Sequence, residues 1–300
     1  MKDIKNIITK YNFRPKKRLG QNFLISENVL KKIIDSAQLK KTDIVLEIGP
    51  GTGILTKELA KKVKEVITIE KDKELVVVLK EELAEEGIKN VEVVREDILK
   101  IQNSKTSERS EQVKMKENLS LRIQSSRLKN KNYKIVANLP YYITAPIIKM
   151  FLEEPPSGKL PELMVLMVQK EVGERICALP PKMSKIAVFS QFYGKSEIVG
   201  IVSKNCFWPR PKVDSAILKI TPLINSDGKL INADRNLFSK IVKAGFSHPR
   251  KQLINNLSKE LDLPREKTEN WLAKNNIEPS RRAETLTVKN WLDLTKTLTS

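Results

Sequence analysis

The stretch Ile44-Val45-Leu46-Glu47-Ile48-Gly49-Pro50-Gly51-Thr52-Gly53 decides the fold of this chain. Its first five residues are largely aliphatic and β-branched, which predicts a buried strand over 44–48. The glycines that follow predict a tight turn with a backbone open to close approach, and the apolar spacing beyond them predicts a helix over 55–62. Strand, glycine turn and helix in that order open a doubly wound α/β sheet, where ligands sit beyond the carboxyl ends of the strands. Working outward, apolar runs predict strands over 66–70, 91–97, 134–138 and 163–168, with a helix over 72–86 closed by Gly87. Such alternation is the βαβ pattern of a mostly parallel sheet. Runs over 198–202 and 215–220 flank Pro209 and Pro211 and are read as an antiparallel hairpin at the sheet edge. Upstream, Ser26 is expected to cap a helix that places Val29, Leu30, Ile33, Ile34 and Ala37 on one face.

The chain has 300 residues, with 55 Lys and Arg against 36 Asp and Glu and a formal charge of +19. That length suits two domains, and that charge suits a partner with a phosphate backbone. Only Cys177 and Cys206 are present, too far apart for a CxxC unit, so reduced thiols, a cytoplasmic location and no metal site are expected. No run of about 18 apolar residues predicts a membrane span, and His248 is the single histidine, which disfavours a histidine base. A monomer is expected. Residues 1–20 carry seven Lys or Arg against Asp3 alone and read as a mobile basic arm. The sheet domain is read over 21–223, interrupted at 102–131 by a polar, basic stretch without period that is expected to be an inserted, disordered loop. Residues 224–229 (INSDGK) read as a linker, and 230–300 as a small all-α domain with RNA-binding character, its last helix capped by Thr287.

The glycine spacing is GxGxG rather than the GxGxxG of dinucleotide folds, because Ile54 holds the next position. An amino-acid carboxylate fits such a turn better than a pyrophosphate. Glu47, Gly49, Gly51 and Gly53 line the expected site, Glu70 ends the second strand where a carboxylate accepts both ribose hydroxyls, and Asp97 ends the third, placed for an adenine amine. In register, these residues point to S-adenosylmethionine (SAM). Asn138-Leu139-Pro140-Tyr141 closes the fourth strand. An exocyclic adenine amine is a poor nucleophile because its lone pair is delocalised into the ring. Catalysis must draw that nitrogen towards tetrahedral geometry and aim it. The Asn138 side-chain oxygen and the Leu139 carbonyl are candidate acceptors, Pro140 fixes the turn, and Tyr141 offers a ring for stacking. Phe207, in Phe207-Trp208-Pro209-Arg210-Pro211, is read as a second aromatic wall.

Together with Lys17 to Leu24 (KRLGQNFL), Phe207 to Ser215 (FWPRPKVDS), Phe246 to Leu257 (FSHPRKQLINNL) and Arg282 to Leu286 (RAETL), these motifs cover nearly the whole chain. In joint order they resemble the KsgA/Dim-type small-subunit rRNA adenine dimethyltransferases. The resemblance implies a Rossmann-like SAM-dependent methyltransferase domain with a mostly parallel seven-stranded sheet. It also implies methylation of two adjacent adenines near the 3′ end of small-subunit (16S) rRNA in a pre-30S ribosomal particle, and a role for Asn22 and Leu24 in covering SAM. The insertion at 102–131 and the stretch at 178–184 (ALPPKMS) depart from the usual pattern. Two other readings share the motifs: a large-subunit methyltransferase of the macrolide-resistance type, against which the C-terminal stretches argue, and a non-catalytic assembly factor, which the intact Asn138, Glu70 and Asp97 disfavour.

Overall fold

The structure is a computed structural model that describes residues 4–100, 128, 132–153, 155–223 and 234–298. The expected insertion at 102–131, apart from residue 128, and the expected linker at 224–229 lie outside the described residues. The chain divides into two compact units, Met1–Gly173 with Glu197–Pro222, and Glu174–Ser196 with Leu223–Ser300.

In chain order the first unit holds helix α1 (Ile4–Tyr11), strand β1 (Phe23–Leu24), α2 (Glu27–Ser36), β2 (Ile44–Ile48), α3 (Ile54–Ala60), β3 (Glu65–Glu70), α4 (Lys73–Glu85), β4 (Val91–Arg95), β5 (Lys134–Asn138), α5 (Thr144–Glu153) and β6 (Leu163–Gln169). Strands β7 (Gly194–Val202), β8 (Phe207–Trp208) and β9 (Ser215–Pro222) follow after an intervening helical stretch. Seven strands form one sheet in the order β4-β3-β2-β5-β6-β9-β7. The pairs from β4 through β6 are parallel, and β9 runs antiparallel to β6. The order in which strands are added reverses between β2 and β5, the switch point where such sheets open a crevice beyond their strand ends. All five residues of β2 are buried, as a parallel strand covered on both faces requires. Behind the sheet lies a core of Ile33, Leu59, Val45, Val66, Val136 and Ile217.

Asp72 caps α4 by accepting from the Glu74 N–H, and Gly87 closes it at φ +64°. Ser26 occupies the cap position of α2 without a side-chain bond to that helix. Residues 4–20 correct the expectation of a free basic arm. Ile7 and Phe13 are buried, and the Phe13 ring meets Phe23 edge-on at 5.9 Å. Lys10 pairs with Glu82 and Glu85 of α4, and Lys16 with Asp72. Lys10 and Lys16 answer acids of the same chain, and Ile7 and Phe13 anchor the segment.

The second unit is helical, with α7 (Lys185–Tyr193), α8 (Arg235–Gly245), α9 (Leu253–Glu260), α10 (Arg265–Lys274) and α11 (Val288–Leu298), and α6 (Lys170–Ile176) leads into it. Phe238, Leu257, Leu272 and Trp291 form its core together with Ala187 and Val188. Residues 174–196, expected in the sheet domain, therefore pack with the helical unit. Thr287 caps α11 through Asn290 N–H, while Asn290 Oδ1 accepts from Thr287 N–H. Among the described residues no helix is long and apolar enough to cross a membrane.

Candidate active site

A cleft lies at the carboxyl ends of β2, β3 and β5, and its walls include Asn22, Glu47, Gly49, Glu70, Asp97 and Asn138. The turn after β2 builds its floor. Gly49, Gly51 and Gly53 have φ of +68°, +60° and +84°, a region that side-chain-bearing residues rarely adopt. A Cβ on Gly51 would stand 3.0 Å from the Phe23 ring, and one on Gly53 only 2.5 Å from Leu79 Cδ1, so the turn is packed tightly from behind while its front stays open.

Two carboxylates behind the turn are buried. Glu70 is 7% exposed, and its oxygens accept from Asp72 N–H at 2.8 Å and Gly51 N–H at 3.3 Å. Burial raises its pKa against those backbone donors. Glu47 is 1% exposed and accepts from Thr56 Oγ1 at 2.6 Å. Burial, with a smaller contribution from the charge of Glu70, pushes its carboxyl up to about 8. Asp97 pairs with Lys71 at 2.8 Å and accepts from Leu99 N–H at 3.1 Å. A polyhydroxylated nucleoside fits this donor set, because each carboxylate oxygen has a second lone pair and the cleft reaches both Glu70 and Asp97.

The other wall is the turn after β5. Asn138 donates from Nδ2 to the Asn22 carbonyl at 3.1 Å, which leaves Oδ1 as the amide's remaining face; no described residue donates to it. Leu139 N–H donates to the Met167 carbonyl at 3.3 Å, and Pro140 O accepts from Ile143 N–H at 3.1 Å, so the turn is held on both sides of the Leu139 carbonyl. The Tyr141 ring is half-buried, and its hydroxyl hydrogen-bonds Ser215 Oγ at 2.8 Å. Burial raises the Tyr141 pKa and keeps it a neutral phenol. Neighbouring Tyr142, 53% exposed, also lines the cleft.

The structure thus brings Asn22, Leu24, Glu47, Gly49, Gly51, Glu70, Asp97 and Asn138 to Tyr141 around one cleft, with Gly53 directly behind the turn. Phe207, expected as a second aromatic wall, is the exception and does not line the cleft. It is 3% exposed, pairs with Leu24 across β1 and β8, and packs into the core behind the sheet. Strand alternation turns its ring inward and leaves Trp208 partly exposed. Thr56, Lys71, Asp72 and Gln21 were not singled out from sequence, because their roles arise from partners distant in the chain. Among the described residues no group of three or more His, Cys, Asp or Glu is placed to hold a metal ion.

Comparison with known proteins agrees with this arrangement. The ribosomal RNA small subunit methyltransferase A of Clostridium botulinum (strain Loch Maree / Type A3) is 40% identical over 289 residues, 96% of this chain and 95% of that protein. The protein of the same name from Dehalococcoides mccartyi (strain ATCC BAA-2266 / KCTC 15142 / 195) is 38% identical over 291 residues, 97% of this chain and 91% of that protein. Among solved structures, the 23S rRNA methyltransferase ErmE matches with a TM-score of 0.67 at 26% identity, covering 93% of this chain and 100% of that one. A dimethyladenosine transferase from Plasmodium falciparum matches with a TM-score of 0.66 at 28% identity, covering 91% and 95%. The ribosomal RNA adenine dimethylase model matches residues 12–300, and with that match spanning the cleft and both units, the chain belongs to the ribosomal RNA adenine dimethylase family.

Proposed function

We propose that this protein is a cytoplasmic enzyme that dimethylates the N6 of two adjacent adenines near the 3′ end of 16S rRNA, acting on a pre-30S particle during ribosome biogenesis. SAM, when bound, supplies an electrophilic methyl group that requires only an aligned lone pair. Glu70 would hold its ribose hydroxyls, Asp97 its adenine amine, and the turn from Gly49 to Gly53 its amino-acid end, with Asn22 and Leu24 as cover. In the first transfer Asn138 Oδ1 and the Leu139 carbonyl accept from the two N–H groups of the target amine, and in the second one of these oxygens accepts from the single N–H that remains. These bonds pull the nitrogen out of conjugation and point its lone pair into the cleft. Tyr141, its hydroxyl anchored at Ser215, carries the target base on its ring. The surplus proton passes to water, so no general base is needed.

The observation that carries this reading is the Asn138 amide: its nitrogen is engaged by Asn22, so its oxygen is the atom left for an amine donor. The similarity to ErmE favours one other reading, methylation of large-subunit rRNA. Mass spectrometry of rRNA from cells with and without the gene separates the two. Dimethyladenosine is expected to disappear from a small-subunit fragment; its loss from a large-subunit fragment instead would replace this reading.

A further inference from the structure

The segment leading into the cleft is fastened to the first turn of α4 by a small group of polar side chains. Lys16 Nζ donates to Asp72 Oδ1 at 2.8 Å, Gln21 Nε2 donates to Asp72 Oδ2 at 2.9 Å, and Gln21 Oε1 accepts from the Lys16 N–H at 2.6 Å. Asp72 is 4% exposed, a depth at which a carboxylate must be fully hydrogen-bonded. It is: Oδ1 also takes the Glu74 N–H at 3.1 Å. Lys16 and Gln21 outweigh the effect of burial and hold the Asp72 carboxyl below its usual range.

From this knot, hydrogen bonds run in two directions. The Asp72 N–H donates to Glu70 Oε1 at 2.8 Å, towards the proposed cofactor site. On the other side, Asn22 follows Gln21 directly, and its carbonyl accepts from Asn138 Nδ2 at 3.1 Å. A primary amide can turn half-way round and exchange its donor for its acceptor. Only a carbonyl placed against the nitrogen decides between the two states. Asn22 stands between Gln21 and the buried Phe23 of β1, and its own side chain donates to the Gly20 carbonyl at 3.1 Å. The Gln21 side chain is the polar fastening that links this backbone to α4.

We propose that Gln21 and Asp72 are positioning residues for methyl transfer. Through the Asn22 carbonyl they hold the Asn138 amide with its oxygen towards the target amine, and they tie that orientation to the carboxylate of Glu70. This rests on the reading of Asn138 as the acceptor for the amine. Asp72 lies outside the cleft lining, and Gln21, which borders the cleft, commits its amide to the Lys16 N–H and to Asp72, so their loss acts on the rate of transfer rather than on binding.

Single-turnover transfer to small-subunit particles lacking the methyl groups tests this in the full-length protein, at saturating SAM. Gln21→Met keeps side-chain length and removes both polar atoms; Asp72→Asn keeps an oxygen able to cap α4. Each is expected to slow transfer about tenfold or more, with dissociation constants for SAM and RNA changed by less than about threefold. The double variant is expected to be no slower than the slower single one, since both break the same link. Wild-type rates in Gln21→Met, or losses matched by equal weakening of SAM or RNA binding, would overturn the proposal. Should Asp72→Asn fail to fold, Gln21→Met decides alone. Asn138→Ala, measured alongside, separates the two levels: a slow Asn138→Ala beside a fast Gln21→Met removes the positioning role only, whereas a fast Asn138→Ala removes the reading on which it stands.

Discussion

Replacing Asn138 with alanine removes one oxygen acceptor and leaves the Tyr141 ring and the glycine turn in place. Asn138→Ala is therefore expected to bind RNA as before and to lose single-turnover methyl transfer, because an interaction made only on the way to the transition state has gone. Full transfer in a quenched-flow assay would refute that role. Glu70→Ala withdraws an acceptor from any ribose and also from the N–H groups of Gly51 and Asp72. Its SAM affinity should fall by at least about 1.5 to 3 kcal/mol, the worth of hydrogen bonds to a charged group; an unchanged dissociation constant by calorimetry excludes Glu70 from the site. Glu47 predicts a pH dependence. Its pKa is about 8 when folded against 4.5 for the free group, so the folded form binds the proton more tightly. The stability this confers is complete below the lower value and is lost as pH rises through the upper one. Glu47→Gln without SAM should flatten the melting-temperature profile across that window; parallel profiles would show that Glu47 stays charged. Glu47, Glu70, Asp97 and Asn138 were legible in the sequence because each stands at or just beyond a strand end marked by its apolar run. Gln21 and Asp72 were not, since nothing local to either reveals a partner in another element. The burial of Phe207 was hidden for a related reason: its motif is visible in the chain, but the direction of its ring is set by pairing with Leu24.

At the scale of elements, the turn between β2 and α3 is the most constrained. Gly53→Ala would place a methyl 2.5 Å from Leu79 Cδ1, a fully buried core atom, at a φ of +84°. Overpacking and left-handed strain each cost about 1 to 3 kcal/mol, so urea unfolding should show a loss of that order. Unaltered stability would mean that α4 shifts freely away from the turn. Most strands in the parallel part of the sheet were readable to within a residue or two, because a strand covered on both faces has to be apolar throughout. The β1–β8 pair was invisible: two residues carry no period, and their partners lie far along the chain. The N-terminal helix was hidden behind its charge. The lysines of this helix and of the segment after it look like an arm for an external polyanion until Glu82 and Asp72 are seen to receive Lys10 and Lys16. Glu82, drawn down to about 2 mainly by Lys57 and Lys10 against the effect of burial, is the acid around which that contact is built.

For the whole molecule, the charge of +19 exceeds anything the internal ion pairs require. RNA affinity is expected to fall steeply with salt, at a log–log slope of about −0.7 to −0.9 for each phosphate contacted. A flat response in filter binding between low and physiological salt would remove the electrostatic contribution. The division into a sheet unit and a helical unit was foreseeable from where apolar periodicity changes. Its seam was not, because α7 carries no sign in its own sequence that its apolar face belongs with helices some fifty positions later; Ala187 and Val188 report this only through the core they share with Phe238 and Trp291. Interleaving of this kind governs how the protein can be cut or made. During synthesis α7 leaves the ribosome before any of its later partners exist, so its apolar side chains must wait, shielded or at risk of sticking, until Trp291 has been translated. A truncated gene ending near residue 223 would make that wait permanent, and a sheet unit worth expressing by itself needs the apolar face of α7 made polar while β7 is kept.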